Sequence, residues 1–408
     1  MPQLSQPKIL AIIMAGGRGE RLAPLTEIRT KPAVPFGSNY RIVDFVLSNF
    51  VNSDIMAIYV LVQYRSQSLI EHLRRAWRIG GRVQRNFITV VPPQMKTGGM
   101  LYGGTADAVY QNINLIHDFG PDLVAVFGAD HIYRMDIGQM VDFHRTREAQ
   151  ISVAALPVPL AAASAFGVIE ADRADRIIGF EEKPARPKAM PADPDMAYSS
   201  MGNYLFDTEA LVRILEDDAA HGGSHDFGRD ILPRLIDSYR VCAYNFAANT
   251  IPDLKPYEEP GYWRDVGTLE AYWQAHMDLL GERPIFDLRN TSWPIMTDSW
   301  DGPPASLVRC RIDETMIGQG SQIVEADIRR SVIGRNVRIE PGCVIEESIV
   351  FEGSTVGPGS RLRRVVADRF NALPKGTVLG ASDLPGVRPP LTVLPRGSLI
   401  GRRRASKI

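Results

Sequence analysis

The first two-thirds of the chain alternates short, continuous apolar runs with segments whose apolar residues return at helical spacing. Ile9–Met14, Ala57–Val62 and Leu123–Phe127 are short and apolar throughout, as strands buried on both faces are. Between them, Ile42–Asn52 has the period of a helix. Thr105–Asp118 places Ala106, Val109, Tyr110, Ile113 and Ile116 on one helical face. A further helix is expected from Asp136 to about Ala149. This order predicts an α/β unit, a mostly parallel sheet with helices on both faces.

From Ile317 the pattern changes. Aliphatic residues fall six positions apart: Ile317 and Ile323, then Ile333, Ile339 and Ile345, then Val350, Val356 and Leu362. Glycine follows several of them, as in Ile317-Gly318, Ile333-Gly334 and Val356-Gly357. A six-residue period fits neither a helix nor an ordinary strand. It predicts a left-handed parallel β-helix of hexapeptide repeats, with about three coils visible. The stretch before it, with Trp293-Pro294, Trp300 and Pro303-Pro304, has no clear period and reads as a linker. The expected division is therefore 1–288, a linker at 289–306, and a second unit at 307–408.

A chain of 408 residues is long for one core, which agrees with two units. A formal net charge of −1 gives no electrostatic grip on nucleic acid. The three cysteines, Cys242, Cys310 and Cys343, form no C-x-x-C pair. That argues against a disulfide framework or structural zinc and fits a reducing cytosol. The N-terminal residues 1–8 are polar, and the apolar run Ile9–Ala15 stops at Gly16. It is too short to span a bilayer and is badly placed for a signal peptide, so a cytoplasmic protein without membrane contact is expected.

The first strand opens onto Ala15-Gly16-Gly17-Arg18-Gly19-Glu20-Arg21-Leu22. Three glycines let the backbone approach a phosphate chain with its N–H groups turned inward. The turn lacks the G-K-[ST] of a Walker A loop and the G-x-G-x-x-G spacing of dinucleotide folds. Arg29-Thr30-Lys31-Pro32 follows within about ten residues. A glycine-rich turn ending in R-L, then K-P, resembles the nucleotidyltransferases that activate sugar 1-phosphates. Read chemically, Arg21 and Lys31 would neutralise a triphosphate and its pyrophosphate leaving group.

Further motifs appear in order: Tyr102-x-Gly104-Thr105-Ala106-Asp107-Ala108-Val109, Gly128-Ala129-Asp130-His131-Ile132-Tyr133, Phe166-Gly167-Val168, Glu181-Glu182-Lys183-Pro184, Ser200-Met201-Gly202-Asn203-Tyr204, His225-Asp226-Phe227-Gly228 and Trp263-Arg264-Asp265-Val266-Gly267-Thr268. Together they resemble the glucose-1-phosphate adenylyltransferase family of bacterial glycogen synthesis, from about Ile9 through the hexapeptide region. That resemblance implies a Rossmann-like nucleotidyltransferase unit acting on ATP and glucose 1-phosphate, with Mg²⁺ as cofactor. It implies Asp130 and Asp265 as the magnesium carboxylates, where oxygen ligands suit a hard cation. It implies Lys183 as the anchor of the sugar phosphate, with Gly167, Glu182, Ser200 and Tyr204 in the sugar pocket. Gly16, Gly17 and Gly104 would meet the nucleotide by their backbone. Tyr102 would flank the nucleotide or pack on the helix after it. His131 is assigned packing rather than acid–base work, and Trp263, Trp273 and Trp293 are assigned to the core.

The sequence departs from the family at Leu101, where tryptophan is usual, at Gln67, where histidine is usual, and at Ile28, where a basic residue is linked to activator response. Those changes bear on allosteric control by small metabolites rather than on the catalytic positions. Hexapeptide β-helices also occur in acyltransferases that use a histidine base. Here the last histidine, His276, precedes the repeats, so the β-helix reads as an assembly and regulatory unit of a homotetramer.

Overall fold

A computed structural model describes residues 7–78, 86–94, 101–190, 193–380 and 389–398. Residues 1–6, read above for targeting, and 399–408, the end of the second expected unit, lie outside the described residues.

Strand Ile9–Met14 lies at the centre of the first unit, with parallel partners Ala57–Leu61 and Leu123–Gly128 on its two sides. Phe87–Val91 continues the parallel run beyond Ala57–Leu61. Ala11 and Ile13 join one apolar cluster, Leu10 and Ile12 another on the opposite face. Both faces are covered, so the strand is apolar at every position instead of alternating. Past Leu123–Gly128 the nine-stranded sheet changes direction. The long strand Met196–Asp207 runs antiparallel to Leu123–Gly128, Ile151–Pro159 and Gly167–Ala171. Gly167–Ala171 pairs with Ile177–Glu182 in a hairpin whose turn is fastened by Asp172 Oδ1, accepting from the backbone of Ala174 and Arg176.

The expected helix over Thr105–Asp118 is two helices, Thr105–Tyr110 and Ile113–Phe119. The break falls at Gln111–Asn112, where Asn112 Nδ2 donates to the Ala108 carbonyl and to the Tyr102 hydroxyl. An asparagine amide that bonds nearby groups competes with the backbone ladder, which the apolar period alone does not register. The helix expected at Asp136 is present as Ile137–Thr146, capped by Asp136 Oδ1 accepting from Gly138 N at 2.9 Å.

The second unit is a parallel β-helix with three five-stranded faces. Strands stack on the coil below with a step of 16 residues, as for Ser306 on Gln322, or 17, as for Arg338 on Thr355, except the last, Val365 on Thr392. Ile323, Ile328, Ile333, Ile339, Ile345, Val350, Val356 and Leu362 all point inward and are buried. They are spaced by five or six residues, so corners that drop a residue interrupt the hexad and hide coils from a strict six-residue reading. The first coil escapes that reading too, because Leu307, Ile312 and Ile317, which stack on Ile323, Ile328 and Ile333, are spaced by five residues instead of six.

The two units share one apolar cluster, in which Leu22, Leu25, Val34 and Phe36 pack with Val332, Ile349, Phe351 and Val366. Trp273, assigned to the core, sits in this junction and donates through Nε1 to the Glu347 carbonyl at 2.8 Å. His276 lies beside it, fully buried, with rings of Phe36, Tyr272 and Phe351 at 4.2, 4.6 and 5.8 Å. Its Nε2 accepts from Gly37 N at 3.1 Å, leaving Nδ1–H to donate to the Tyr272 carbonyl at 2.8 Å. Burial pushes its pKa down to about 3 from 6.5, only partly offset by that carbonyl. A depressed histidine favours the fold above its unfolded value of 6.5, and the contribution is lost as pH falls toward 3. We expect the melting temperature to fall over that range, with a shallower slope in His276→Gln. Equal slopes in the two proteins would refute the assignment.

Candidate active site

The glycine-rich turn follows the C-terminal end of the central strand, where ligands gather in open α/β sheets. Gly19 has φ +63°, and a Cβ there would lie 3.0 Å from Lys31 Cβ, so the position is built for glycine. Thr26 Oγ1 donates to the Gly19 carbonyl at 2.8 Å, and Thr30 Oγ1 donates to the Ala15 carbonyl at 3.2 Å. The turn is thereby fastened to the segment that carries Lys31. Together they form one wall of a cavity of about 730 Å³, which Gly16, Gly17, Arg21, Gln63, Tyr102, Gly104, Asp130 and Asp226 also line.

Asp130 stands just past strand Leu123–Gly128. Asp265 arrives from a distant part of the sequence because Trp263–Asp265 pairs antiparallel with His131–Tyr133, setting Asp265 opposite His131. Lys31 Nζ bridges the two carboxylates, 2.9 Å from Asp130 Oδ2 and 3.0 Å from Asp265 Oδ1. Burial of Asp130 works against its charge, yet His131 and Lys31 outweigh it and hold the carboxyl below its usual range. Burial likewise opposes the Lys31 charge, and Asp130 with Asp265 raises its pKa above 10.5. Asp130 and Lys31 therefore both stay charged near neutrality.

Asp130, Asp265 and His131 offer ligand atoms within 4.8 Å of one another. The carboxylates already share one cation, the Lys31 ammonium; Asp130 lines the cavity, and Asp265 stays 28% exposed beside it. Two carboxylates with an open side fit a hard divalent ion that keeps part of its water. His131 Nε2 is 3.5 Å from Asp130 Oδ1 and its ring packs on Trp263 at 4.7 Å, in keeping with the packing role assigned to it.

The antiparallel part of the sheet carries Gly167, Glu182, Ser200 and Tyr204, with Lys183 just after; none of them is among the residues lining that cavity. Glu182 stands opposite Gly167, and a Cβ on Gly167 would meet the Phe180 ring at 2.6 Å and Glu182 Oε2 at 2.9 Å. Gly167 thus makes room for the side chains of its partner strand. Lys183 ends that strand in a left-handed conformation, φ +50°, with its N–H on the Phe166 carbonyl. Its side chain is 61% exposed and, among the described residues, its ammonium pairs with Glu182 at 3.0 Å. Tyr204 is buried and hydrogen-bonded to Ser200; burial, with Asp226 and Glu182 nearby, keeps its phenol protonated. Phe166 packs on Trp263 at 5.7 Å, which joins this part of the sheet to the carboxylates.

Arg21 reaches the carboxylate side, since a Cβ on Gly267 would meet its Nη2 at 2.9 Å and Asp265 Oδ2 at the same distance. Gly16 lies against Gln63, while Gly17 faces open space. Tyr102 lines the cavity and also packs on the following helix, its hydroxyl accepting from Asn112 at 3.1 Å. Gly104 lines the cavity for a reason the sequence does not show. Its missing Cβ leaves space for the carbonyls of Ser224 and His225, at 2.1 and 2.3 Å from where that Cβ would sit.

Two cleft residues, Gln63 and Asp226, and the buried Asn203 carried no role in the sequence reading. Gln63 follows the second parallel strand, a position that the strand-end rule could have flagged. Asp226 caps residues 227–231 and accepts from Thr105 Oγ1 at 3.1 Å, tying the two segments together. Asn203 Oδ1 accepts from Gly128 N at 3.2 Å and shapes the backbone next to Asp130. Nothing in the local sequence marks it.

Residues 10–282 match the family described as nucleotidyl transferase, and residues 303–385 match that described as GlmU-like, C-terminal hexapeptide. The glucose-1-phosphate adenylyltransferase of Thermodesulfovibrio yellowstonii is 51% identical over 377 residues, 92% of each chain. That of Photobacterium profundum is 45% identical over 405 residues, 96% of this chain and 99% of the relative. That of Aliivibrio fischeri is 48% identical over 380 residues, 92% and 93% of the two chains.

Proposed function

The chain belongs to the nucleotidyl transferase family, among its glucose-1-phosphate adenylyltransferases, and on that premise we propose that it makes ADP-glucose and pyrophosphate from ATP and glucose 1-phosphate. The observation that carries this reading is the Lys31 ammonium held between Asp130 and Asp265, beside a glycine-rich turn, in one open cleft. A phosphate oxygen of the sugar phosphate attacks the α-phosphorus of ATP, and the bond to the β-phosphate oxygen breaks as pyrophosphate leaves. No covalent enzyme intermediate is needed. The protein orients two polyanions and offsets their charge. Gly16 and Gly17 let the triphosphate approach the backbone, with Tyr102 and Gly104 along the nucleotide. Arg21 and Lys31 face the leaving pyrophosphate. Lys183 anchors the sugar phosphate, with Gly167, Glu182, Ser200 and Tyr204 around the sugar. Asp130 and Asp265 would hold Mg²⁺, which supplies further charge neutralisation at the phosphates when bound.

Pyrophosphate release measured with ATP, UTP, dTTP and GTP, each with glucose 1-phosphate and magnesium, tests the proposal. Preference for ATP is expected. Preference for another nucleotide would move the protein to a different product, and no release with any pair would overturn the reading. Lys183→Ala is expected to raise the KM for glucose 1-phosphate tenfold or more, about 1.4 kcal/mol or above, with little change for ATP. A shift confined to ATP would contradict the anchor role.

Three broader features belong to the same proposal. The division into 1–288, 289–306 and 307–408 separates a catalytic from an assembly unit, and the product would feed α-glucan synthesis in the cytoplasm. Among the described residues no helix is long and apolar enough to cross a membrane. Control by small anionic effectors is supported by a pocket between the units where Arg41, Arg75, Arg335 and Arg369 outnumber the carboxylates Asp298 and Glu352 that pair with three of them. Arg369 is pushed down to about 9, by burial first and then by Arg41 and Arg29, so an anion there would be welcome. A homotetramer is supported by the free edge of Ser306–Val308, where Leu307 and Val308 are exposed on the outermost coil.

A further inference from the structure

The segment Arg29-Thr30-Lys31 touches a different part of the molecule with each successive side chain. Lys31 holds the two carboxylates, and Thr30 holds the glycine-rich turn through the Ala15 carbonyl. Arg29 points the other way, into the β-helix. Its Nη1 donates to Asp368 Oδ1 at 3.0 Å, and Nη2 is 2.9 Å from Asp368 Oδ2. Both side chains are essentially inaccessible, at 0% and 1%.

The pair is not explained by stability. A buried ion pair loses the hydration of both charges, and apolar replacements of similar volume are often neutral or better. This pair is also incompletely satisfied, since Arg29 Nε has no hydrogen-bond partner among the described residues. The units do not need it to dock. Their shared apolar cluster, the Trp273 bond to Glu347 and the Arg364–Glu270 pair join them independently. What the pair adds is direction. The Nη1 hydrogen bond aims the guanidinium at the carboxylate, while the Nη2–Oδ2 approach is an ion pair without hydrogen-bond geometry.

Asp368 is a firm anchor. Its carboxylate accepts from Arg369 N at 2.7 Å, its carbonyl accepts from Asn371 Nδ2 at 2.7 Å, and its N–H bonds the Leu394 carbonyl at 3.1 Å. Thr30 is extended, with φ −69° and ψ 154°, so Arg29 and Lys31 are coupled through a short, straight stretch of backbone. We infer that Asp368, a residue of the β-helix, is a positioning residue for nucleotidyl transfer, acting through Arg29 to set Lys31 and the glycine-rich turn. The inference rests on the proposed role of Lys31 at the triphosphate. It makes the second unit part of the catalytic geometry rather than only a scaffold for assembly.

The test compares wild type, Lys31→Met, Asp368→Asn and the double variant Arg29→Met/Asp368→Leu, all as full-length chains. The readouts are kcat, both KM values, far-UV circular dichroism and the melting temperature. Asp368→Asn leaves a buried guanidinium unpaired and could unfold the junction; the double variant removes both charges and keeps the volume. The expected result for the double variant is a folded protein with a melting temperature near wild type. Its kcat should fall at least tenfold, while the KM for glucose 1-phosphate moves less than twofold. A structural role alone would not separate kcat from the sugar KM in that way. Wild-type kcat in the double variant, alongside an inactive Lys31→Met, would overturn the inference and leave the proposed function standing. Loss of folded protein in both pair variants would assign the pair to stability and overturn it too. Full activity in Lys31→Met would instead defeat the underlying reading of Lys31.

Discussion

Asp130→Asn is expected to lower turnover by two decades or more while the protein stays folded. The substitution keeps shape and removes one charge from a site whose work is charge placement. A single well-placed electrostatic contact at a reacting centre is worth roughly 3 kcal/mol, which is about two decades in rate. Asn in place of Asp leaves Lys31 with Asp265 at 3.0 Å, so the lysine is not orphaned and the fold has no reason to fail. Asp265→Asn should behave alike, because the strand pair at Asp265 and His131 holds both carboxylates to the same cation. The check is kcat at saturating magnesium and both substrates, with circular dichroism alongside. Unchanged turnover in either variant would remove that carboxylate from the proposed metal pair.

Gly104→Ala is the second large effect we expect. The added carbon would lie 2.1 Å from the Ser224 carbonyl and 2.3 Å from that of His225. Both are backbone atoms, so no side chain can swing aside. The segment 224–226 would have to withdraw, and it is bonded to the helix start by Ala106 N on the His225 carbonyl at 2.8 Å and by Phe227 N on Thr105 Oγ1 at 3.0 Å. Overpacking of this sort costs about 1–3 kcal/mol, and each lost hydrogen bond about 1 kcal/mol more. The melting temperature should drop, and the KM for the nucleotide should rise tenfold or more as the two segments separate. Gly17→Ala is the control, because its added carbon meets nothing within 4 Å and should leave the melting temperature unchanged. Equal melting temperatures for the two variants would show that the close approach at Gly104 is not needed.

Much of this protein was legible without coordinates, and the reason is locality. Ile9–Met14 is apolar at every position because both faces of its sheet are covered, so the pattern alone marks a central strand. The glycine turn, Lys31 and Asp130 each sit at the end of a local element and carry their chemistry in adjacent residues. The six-residue period announced the β-helix for the same reason, since each coil repeats a nearest-neighbour contact.

What the sequence did not show depends on residues brought together from afar. The antiparallel half of the sheet has no period of its own that sets it against the parallel half, because direction is fixed by which strand lies alongside. The break at Asn112 comes from a side-chain bond to Tyr102, ten residues back, which an apolar period cannot encode. Gly104 is expected from the sequence to meet the nucleotide by its backbone; only packing shows that the carbonyls of Ser224 and His225 fill the place of its missing Cβ. The Arg29–Asp368 pair joins positions 339 apart, and neither residue looks buried by its type. Sequence alone thus determined the elements and the chemistry each could offer, because backbone period and residue type are local. The tertiary structure decided which of those groups share a cleft and which residue of the second unit Arg29 meets, because burial and charge pairing exist only between surfaces the fold has closed together.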